Sequence, residues 1–172
     1  EKLSANSSAR RVRVRDSNLS GGAGVVLQAA AVNDFVSFTV PVTVAGTYDV
    51  KVGPRTGIRN GIFQLTVDGI KLGYPQDEYS AITDYNVRDL GTRFLNQGDH
   101  TLTFSVTGQN QASTGFTLTF DYIDFVLSTR LEAEVLPIIA NATKVVINDA
   151  NLSGGAGILL KATTPDQFIT YT

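Results

Sequence analysis

The sequence predicts an all-β protein, a jelly-roll β-sandwich followed by a C-terminal β-strand extension that repeats the N-terminal third. Three observations carry this expectation. The first is a repeat: Asn18-Leu19-Ser20-Gly21-Gly22-Ala23-Gly24 recurs unchanged 133 residues later, starting at Asn151, and residues 10–39 laid over 143–172 give 13 identities in 30 positions. The second is patterning. Short runs of alternating apolar residues are separated by Gly, Pro, Asn and Asp at regular spacing, with no helical period. The third is composition: the chain is 42% hydrophobic and only 17% charged, whereas helix-rich proteins carry more Glu and Lys on their surfaces.

In chain order, Arg11 to Arg15 alternates and Asp16 to Gly24 is rich in turn residues. Val25-Val26-Leu27 then resumes a buried run. Phe35 to Val40 and Thr47 to Val52 flank the turn at Ala45-Gly46, which predicts two consecutive antiparallel strands. Ile62 to Val67 closes on Asp68-Gly69, a dipeptide suited to a tight hairpin because both positions favour positive φ. Ile70 to Gly73 returns, and Tyr74 to Tyr85 reads as the longest loop. Strands are expected again over 86–95, 100–106 and 116–127, with a turn at Asn96 to Asp99. Residues 1–130 therefore form the sandwich and residues 131–172 a partial second repeat, joined through Ser128-Thr129-Arg130.

Several function classes are disfavoured by the residues alone. Net charge is −2, with basic and acidic residues mixed, so no field for nucleic acid or membrane is implied. No apolar run of about 18 residues is present. The run Arg10-Arg11-Val12-Arg13-Val14-Arg15 is expected to be a solvated edge strand protected against aggregation. With no Cys, no disulfide or thiolate site can form. The chain opens without Met or a signal peptide, which fits a processed chain or one period of a longer array, and an extracellular protein is expected.

Nothing in the sequence assembles a catalytic group. The sole histidine, His100, follows a Gly-Asp turn and is expected to be an exposed turn residue. The carboxylate pairs Asp77/Glu78 and Asp121/Asp124 carry no sign of converging. Gly21-Gly22-Ala23-Gly24 precedes a strand pattern, not the helix that a phosphate or dinucleotide loop requires. Asp16-x-Asn18-x-Ser20-Gly21 has the opening oxygen spacing of a calcium loop, but its twelfth position is Leu27 where a carboxylate is needed, and an Asx-stabilised turn is the alternative. Acceptor sequons for N-glycosylation occur at Asn6, Asn18, Asn141 and Asn151.

A family resemblance rests on an ordered set of motifs: Leu131-Glu132-Ala133-Glu134, Asn18 to Gly24 with Val25-Val26-Leu27, Pro41 to Val50, Phe63 to Gly69, and Phe120-Asp121-Tyr122-Ile123-Asp124-Phe125. Together they resemble the galactose-binding-like β-sandwich of carbohydrate-binding modules in families six and thirty-five, over nearly all of residues 1–130 and again over 131–172. The resemblance implies a structural calcium held by Glu1, or by Glu132 and Glu134, with backbone oxygens of the glycine-rich turn and Asp121. Departures from the family pattern are Val25 where an aromatic often follows the glycines, and the absence of tryptophan. A glycan site would then fall to Tyr74, Tyr79 or Tyr85, with polar help from Arg55, Arg59, Asn60, Gln76 and Asp77. The same tyrosines more readily cap the sandwich end or pack in a protein interface.

The partial repeat raises a separate expectation. An opening third of a jelly roll cannot enclose a core, so residues 131–172 are expected to pack on a neighbouring copy by strand addition or exchange, which builds a head-to-tail homopolymer. The expected joint is apolar: Val145, Ile147, Ile158, Leu159, Leu160, Phe168, Ile169 and Tyr171. Burying roughly 600 Å² there at about 25 cal/mol/Å² gives a gross term of about 15 kcal/mol. The leading functional expectation is a non-catalytic extracellular fibre subunit. The alternative is a carbohydrate-binding module of a secreted multi-domain protein with polysaccharide as partner.

Overall fold

A computed structural model describes residues 3–128, 133, 137–149, 152 and 155–171. Its chain divides into two compact units, residues 1–128 and 129–172.

The first unit is a sandwich of two five-stranded antiparallel sheets. One holds β1 (Ser4–Ser7), β4 (Phe35–Val42), β9 (Gly98–Gln109), β6 (Gly61–Val67) and β7 (Ile70–Asp77), in the order β1-β4-β9-β6-β7. The other holds β2 (Arg11–Arg15), β3 (Ala23–Leu27), β10 (Leu118–Leu127), β5 (Gly46–Pro54) and β8 (Arg88–Leu95), in the order β2-β3-β10-β5-β8. The inner strands carry apolar residues at alternate positions, so pairing the sheets face to face buries one side of each, while the edge strands β1, β2 and β7 stay largely exposed. Aromatic side chains tie the layers together. Phe104 from the first sheet sits 5.4 Å from Phe63, 6.1 Å from Phe38 and 4.6 Å from Phe120 of the second sheet, measured between ring centroids.

The strand order follows the expected jelly roll, but two boundaries move. Tyr74 to Asp77 belongs to β7 and not to a loop, because β6 continues past a bulge and pairs Phe63 with Gln76 and Ile62 with Asp77. Pro75 is tolerated there since β7 is the edge of its sheet. The irregular segment is thus shorter, running from Glu78 to Val87. His100 is the second correction. It stands inside β9 with only 12% of its side chain exposed, Nδ1 lying 2.6 Å from Asp68 Oδ2 and Nε2 lying 2.9 Å from the Asn96 carbonyl. Acceptors at both ring nitrogens favour the imidazolium, and the hydrogen bond to Asp68 is the main reason its pKa is raised. The histidine thus pins the Asp68-Gly69 hairpin, whose two residues have φ of 51° and 79°.

The arginine run does form an edge strand, and Arg11, Arg13 and Arg15 are exposed along it while Val12 and Val14 are half-buried. Arg11 pairs with Leu27 and Arg13 with Val25, and residues directly opposed in an antiparallel pair share a face. Leu27 is fully buried. The register puts these arginines on the core-side face at the open edge of the sheet, where their charge blocks edge-to-edge pairing.

The second unit reproduces the first four strands. β11 (Ile138–Ala140) pairs with β14 (Ile169–Tyr171), and β12 (Thr143–Asn148) pairs with β13 (Ala156–Lys161). Registers coincide at the repeat spacing: Ile138↔Tyr171 matches Ala5↔Phe38, and Lys144↔Leu160 matches Arg11↔Leu27. Even the turn chemistry is kept. Asp34 Oδ2 accepts from the amides of Ala30 and Ala31, and Gln167 Oε1 accepts from those of Thr163 and Thr164. Asn33 and Asp166 both take positive φ, 73° and 68°.

The expected apolar face of this unit is two faces. Val145, Ile147 and Leu159 lie on one side of the β12–β13 hairpin, while Ile158 and Leu160 lie with Val146 and Lys144 on the other, because neighbours along a strand alternate. Leu160, Ile169 and Tyr171 stand where Leu27, Val36 and Phe38 stand in the core of the first unit. The contrast in exposure is direct: Phe38 is 8% exposed and Tyr171 is 42% exposed.

Candidate functional site

At one end of the second sheet, on its outward face, the loops converge on a cleft of about 510 Å³. Val26 of β3 and Thr119 of β10 are cross-strand neighbours and form its floor. Segment 55–60, between β5 and β6, forms one wall with Arg55, Ile58 and Arg59. Gln28, Ala29, Thr83 and Thr117 complete the lining.

These loops are fastened to one another by main-chain bonds, so the cleft is preformed. The Thr56 amide donates to the Asp84 carbonyl at 2.8 Å, that of Thr117 to Arg59 at 3.0 Å and that of Thr114 to Ile58 at 2.9 Å. Asn60 is buried, its Nδ2 donating to the Arg55 carbonyl at 2.8 Å, and Ser113 Oγ donates to the Asn60 carbonyl at 2.8 Å. Gly115 closes on the Arg59 carbonyl so tightly that an added Cβ would meet it at 3.2 Å.

Beneath the loop 78–87 lies an ion pair. Glu78 is 1% exposed, and Arg88 donates to it twice, Nε to Oε1 and a terminal nitrogen to Oε2, each at 3.1 Å. Burial is the leading influence on Glu78 and raises its pKa, with Arg88 acting against it. Asp77 points elsewhere, accepting from the Tyr79 amide at 2.9 Å and from the Asn110 side chain at 2.7 Å. The two adjacent acids therefore do not form a pair of reacting carboxylates.

The glycine-rich turn reaches the same end of the sandwich. Asp16 Oδ1 accepts from the Asn18 amide at 3.0 Å, which is the Asx turn. Its Oδ2 accepts from the Tyr85 hydroxyl at 2.6 Å and lies 3.3 Å from Arg55 Nε. The Arg55 contact is ionic only, because Nε–H is buried without a hydrogen-bond acceptor among the described residues. These contacts, the Tyr85 bond first, hold the Asp16 carboxyl below its usual range. The turn itself is a single 3₁₀ turn (Ser20–Gly22) in which Gly21 and Gly22 take φ of 62° and 69°.

The residues expected to bind glycan are thus separated. Arg55, Arg59 and Asn60 line the cleft. Tyr85 borders it through Asp16, its hydroxyl already engaged. Tyr79 bridges Gly57 through its main chain. Tyr74, Gln76 and Asp77 lie on β7 of the other sheet, Gln76 folding back onto the Tyr74 carbonyl at 2.9 Å. No aromatic ring lines the cleft. Sequence reasoning missed Thr83, Thr117 and Thr119, because a threonine on an outward strand position or in a polar loop carries no mark until loops cover it. Asp16 carried a signal, its place in the repeated turn, which was read as local turn chemistry.

Of the expected calcium ligands, Glu1, Glu132 and Glu134 lie outside the described residues, as does the sequon residue Asn151. Asn6, Asn18 and Asn141 lie in exposed stretches. Asp121 sits against the glycine-rich turn, Oδ2 accepting from the Ser20 amide at 2.7 Å and Oδ1 buried with no hydrogen-bond partner among the described residues. An orphaned carboxylate oxygen beside the glycine-rich turn suits a hard cation. Among the described residues no three acidic or histidine side chains cluster as a ready metal site.

The fold defines a class: a β-sandwich like those of family 35 carbohydrate-binding modules. The chain resembles part of a Paenibacillus xanthan lyase, with 27% identity and a TM-score of 0.70 over 89% of this chain and 16% of that one. It also resembles a family 35 carbohydrate-binding module from Clostridium thermocellum, with 21% identity and a TM-score of 0.50 over 71% of this chain and 91% of the module. A family 35 module from an environmental isolate gives 13% identity and a TM-score of 0.54 over 72% of this chain and 85% of that one. No protein-family model and no curated protein matches the chain. Among the described residues, no helix is long and apolar enough to cross a membrane.

Proposed function

We propose that the first unit is a non-catalytic carbohydrate-binding module of a secreted, polysaccharide-active protein, and that it holds glycan in the cleft bounded by Arg55, Arg59 and Asn60. The observation that carries this reading is a preformed cleft rich in hydroxyls and guanidinium groups on a sandwich of the carbohydrate-binding-module type. Lacking an aromatic platform, the cleft grips its ligand by hydrogen bonds and charge. Arg59 is exposed and has no acidic partner among the described residues, so the cleft favours a glycan with anionic substituents. Asp121 Oδ1, with carbonyls of the glycine-rich turn, would hold a calcium ion that stiffens the turn.

Titration calorimetry of the full chain against neutral and uronate-bearing oligosaccharides tests this. Arg59→Ala is expected to weaken binding of the acidic glycan about tenfold, equivalent to about 1.4 kcal/mol, and Tyr74→Ala to leave it unchanged. Equal binding by the Arg59 variant, or loss in the Tyr74 variant, would overturn the assignment.

A second reading, assembly of a head-to-tail fibre through the second unit, is favoured by one observation. β13 and β14 repeat β3 and β4, whose outer edges pair with β10 and β9 in the first unit, yet they have no such partner strands among the described residues. Such edges accept strands. If this reading holds, sedimentation of the full chain shows concentration-dependent polymers that disappear on removal of residues 129–172. A full chain that stays monomeric at high concentration rules it out.

A further inference from the structure

Six polar residues are buried among those described: Thr56, Asn60, Gln64, Glu78, Ser113 and Thr119. Five of them engage the fold with their side chains. Thr56 and Asn60 donate to the Asp84 and Arg55 carbonyls, Gln64 to those of Leu65 and Leu72 and Ser113 to that of Asn60, while Glu78 accepts from Arg88. Thr119 is the exception. It is 4% exposed, yet its hydroxyl has no hydrogen-bond partner among the described residues and opens on the cleft, whose floor it forms with Val26. A covered hydroxyl that the fold leaves unpartnered lowers stability. Valine has the same shape and suits a strand at least as well, so the fold alone gives no reason for threonine here.

Leu118 and Phe120, on either side of Thr119, are buried in the core, so the pleat of β10 turns Thr119 to the outward face. Arg59 lines the same cleft but is exposed, at its rim. The cleft therefore offers a cation at its mouth and, at its floor, a hydroxyl that can both donate and accept. A sugar unit that enters with its acidic substituent outward sets a ring hydroxyl against that floor. We propose that Thr119 is the residue by which the cleft selects its glycan, binding a free hydroxyl of a sugar unit whose acidic substituent is held by Arg59. This rests on the glycan-binding reading above and narrows its ligand to an acidic sugar that is neither acylated nor linked at the hydroxyl facing Thr119. A site that hydrogen-bonds a ligand hydroxyl rejects the analogue lacking it, because the site's own polar group is then left without a partner.

The test is titration calorimetry of the full chain with methyl glucuronide, methyl galacturonide and the monodeoxy analogues of each. Thr119→Val is expected to weaken binding of the parent uronide about tenfold (about 1.4 kcal/mol), and Thr119→Ser to keep most of it. One deoxy analogue is expected to bind wild type and Thr119→Val alike, because the two partners of one hydrogen bond are then removed together. Urea unfolding is expected to find Thr119→Val at least as stable as wild type. If Thr119→Val binds both uronides as wild type does while Arg59→Ala loses affinity, this inference is overturned and the cleft reading stands. A loss of equal size for every deoxy analogue would assign the effect to shape and overturn it too, as would a valine variant that unfolds more readily than wild type. If wild type binds neither uronide, the glycan reading fails and this inference with it.

Discussion

Arg88→Met is expected to destabilise the sandwich by about 3–5 kcal/mol at neutral pH, the range for removing one partner of a buried ion pair. Glu78 is 1% exposed and takes both of its side-chain hydrogen bonds from Arg88, so the substitution leaves a charge out of water with nothing to balance it. The penalty depends on pH, and its sign follows from the direction of the shift. Burial already raises the Glu78 pKa in the folded chain, so the folded state holds that proton more tightly than the unfolded state does. Stability from this group therefore falls as pH rises from the ordinary carboxylate value through the raised one. Removing Arg88 takes away the opposing influence and deepens the fall. Urea unfolding of wild type and variant at pH 7 and pH 5 reads it directly: the gap should narrow at the lower pH. A gap of equal size at both values would show that the lost energy is packing and not charge. Glu78→Gln combined with Arg88→Met should recover much of the loss, because no buried charge remains. On the proposed glycan-binding reading the single variant should also bind glycan poorly, since the loop 78–87 supplies Thr83 to the cleft and Asp84 to Thr56.

Phe104→Ala is expected to cost a further independent 3–5 kcal/mol or so, from lost transfer energy and the cavity left behind. Phe104 is fully buried and its ring touches Phe38, Phe63 and Phe120, so it bridges the two layers at their centre. Phe104→Leu, which keeps most of the volume, should cost about 1.5 kcal/mol or less. Chemical denaturation followed by tyrosine fluorescence measures both. A loss below about 1 kcal/mol for the alanine variant would mean that the sheets are held elsewhere than at this cluster.

The sandwich was legible because strand periodicity is a local property. Phe35 to Val40 alternates whatever surrounds it, and Asp68-Gly69 makes its hairpin from backbone preference alone. The repeat was legible for the same reason, since Asn18 to Gly24 recurs unchanged from Asn151 and an aspartate, Asp16 or Asp149, stands two residues before each copy. The cleft was not. Arg55 meets Asp16 across 39 positions and Tyr85 meets it across 69, and no pattern within a window of ten residues records such meetings. The tyrosine-rich stretch drew attention by composition, yet Tyr74 went to an edge strand because β6 extended far enough to pair with it.

By itself the sequence determined that the chain is all β, where most of its strands lie, that residues 143–172 carry the motif of residues 10–39 a second time, and that no thiol chemistry is available. Tertiary structure decided which way the arginines of β2 face, which loops share an end of the sandwich, and which of two adjacent acids is buried against a cation. The physical reason is range. Alternation and turn preference are settled between neighbours along the chain, whereas burial, ion pairing and the shape of a cleft are settled by residues brought together only when ten strands close into two sheets.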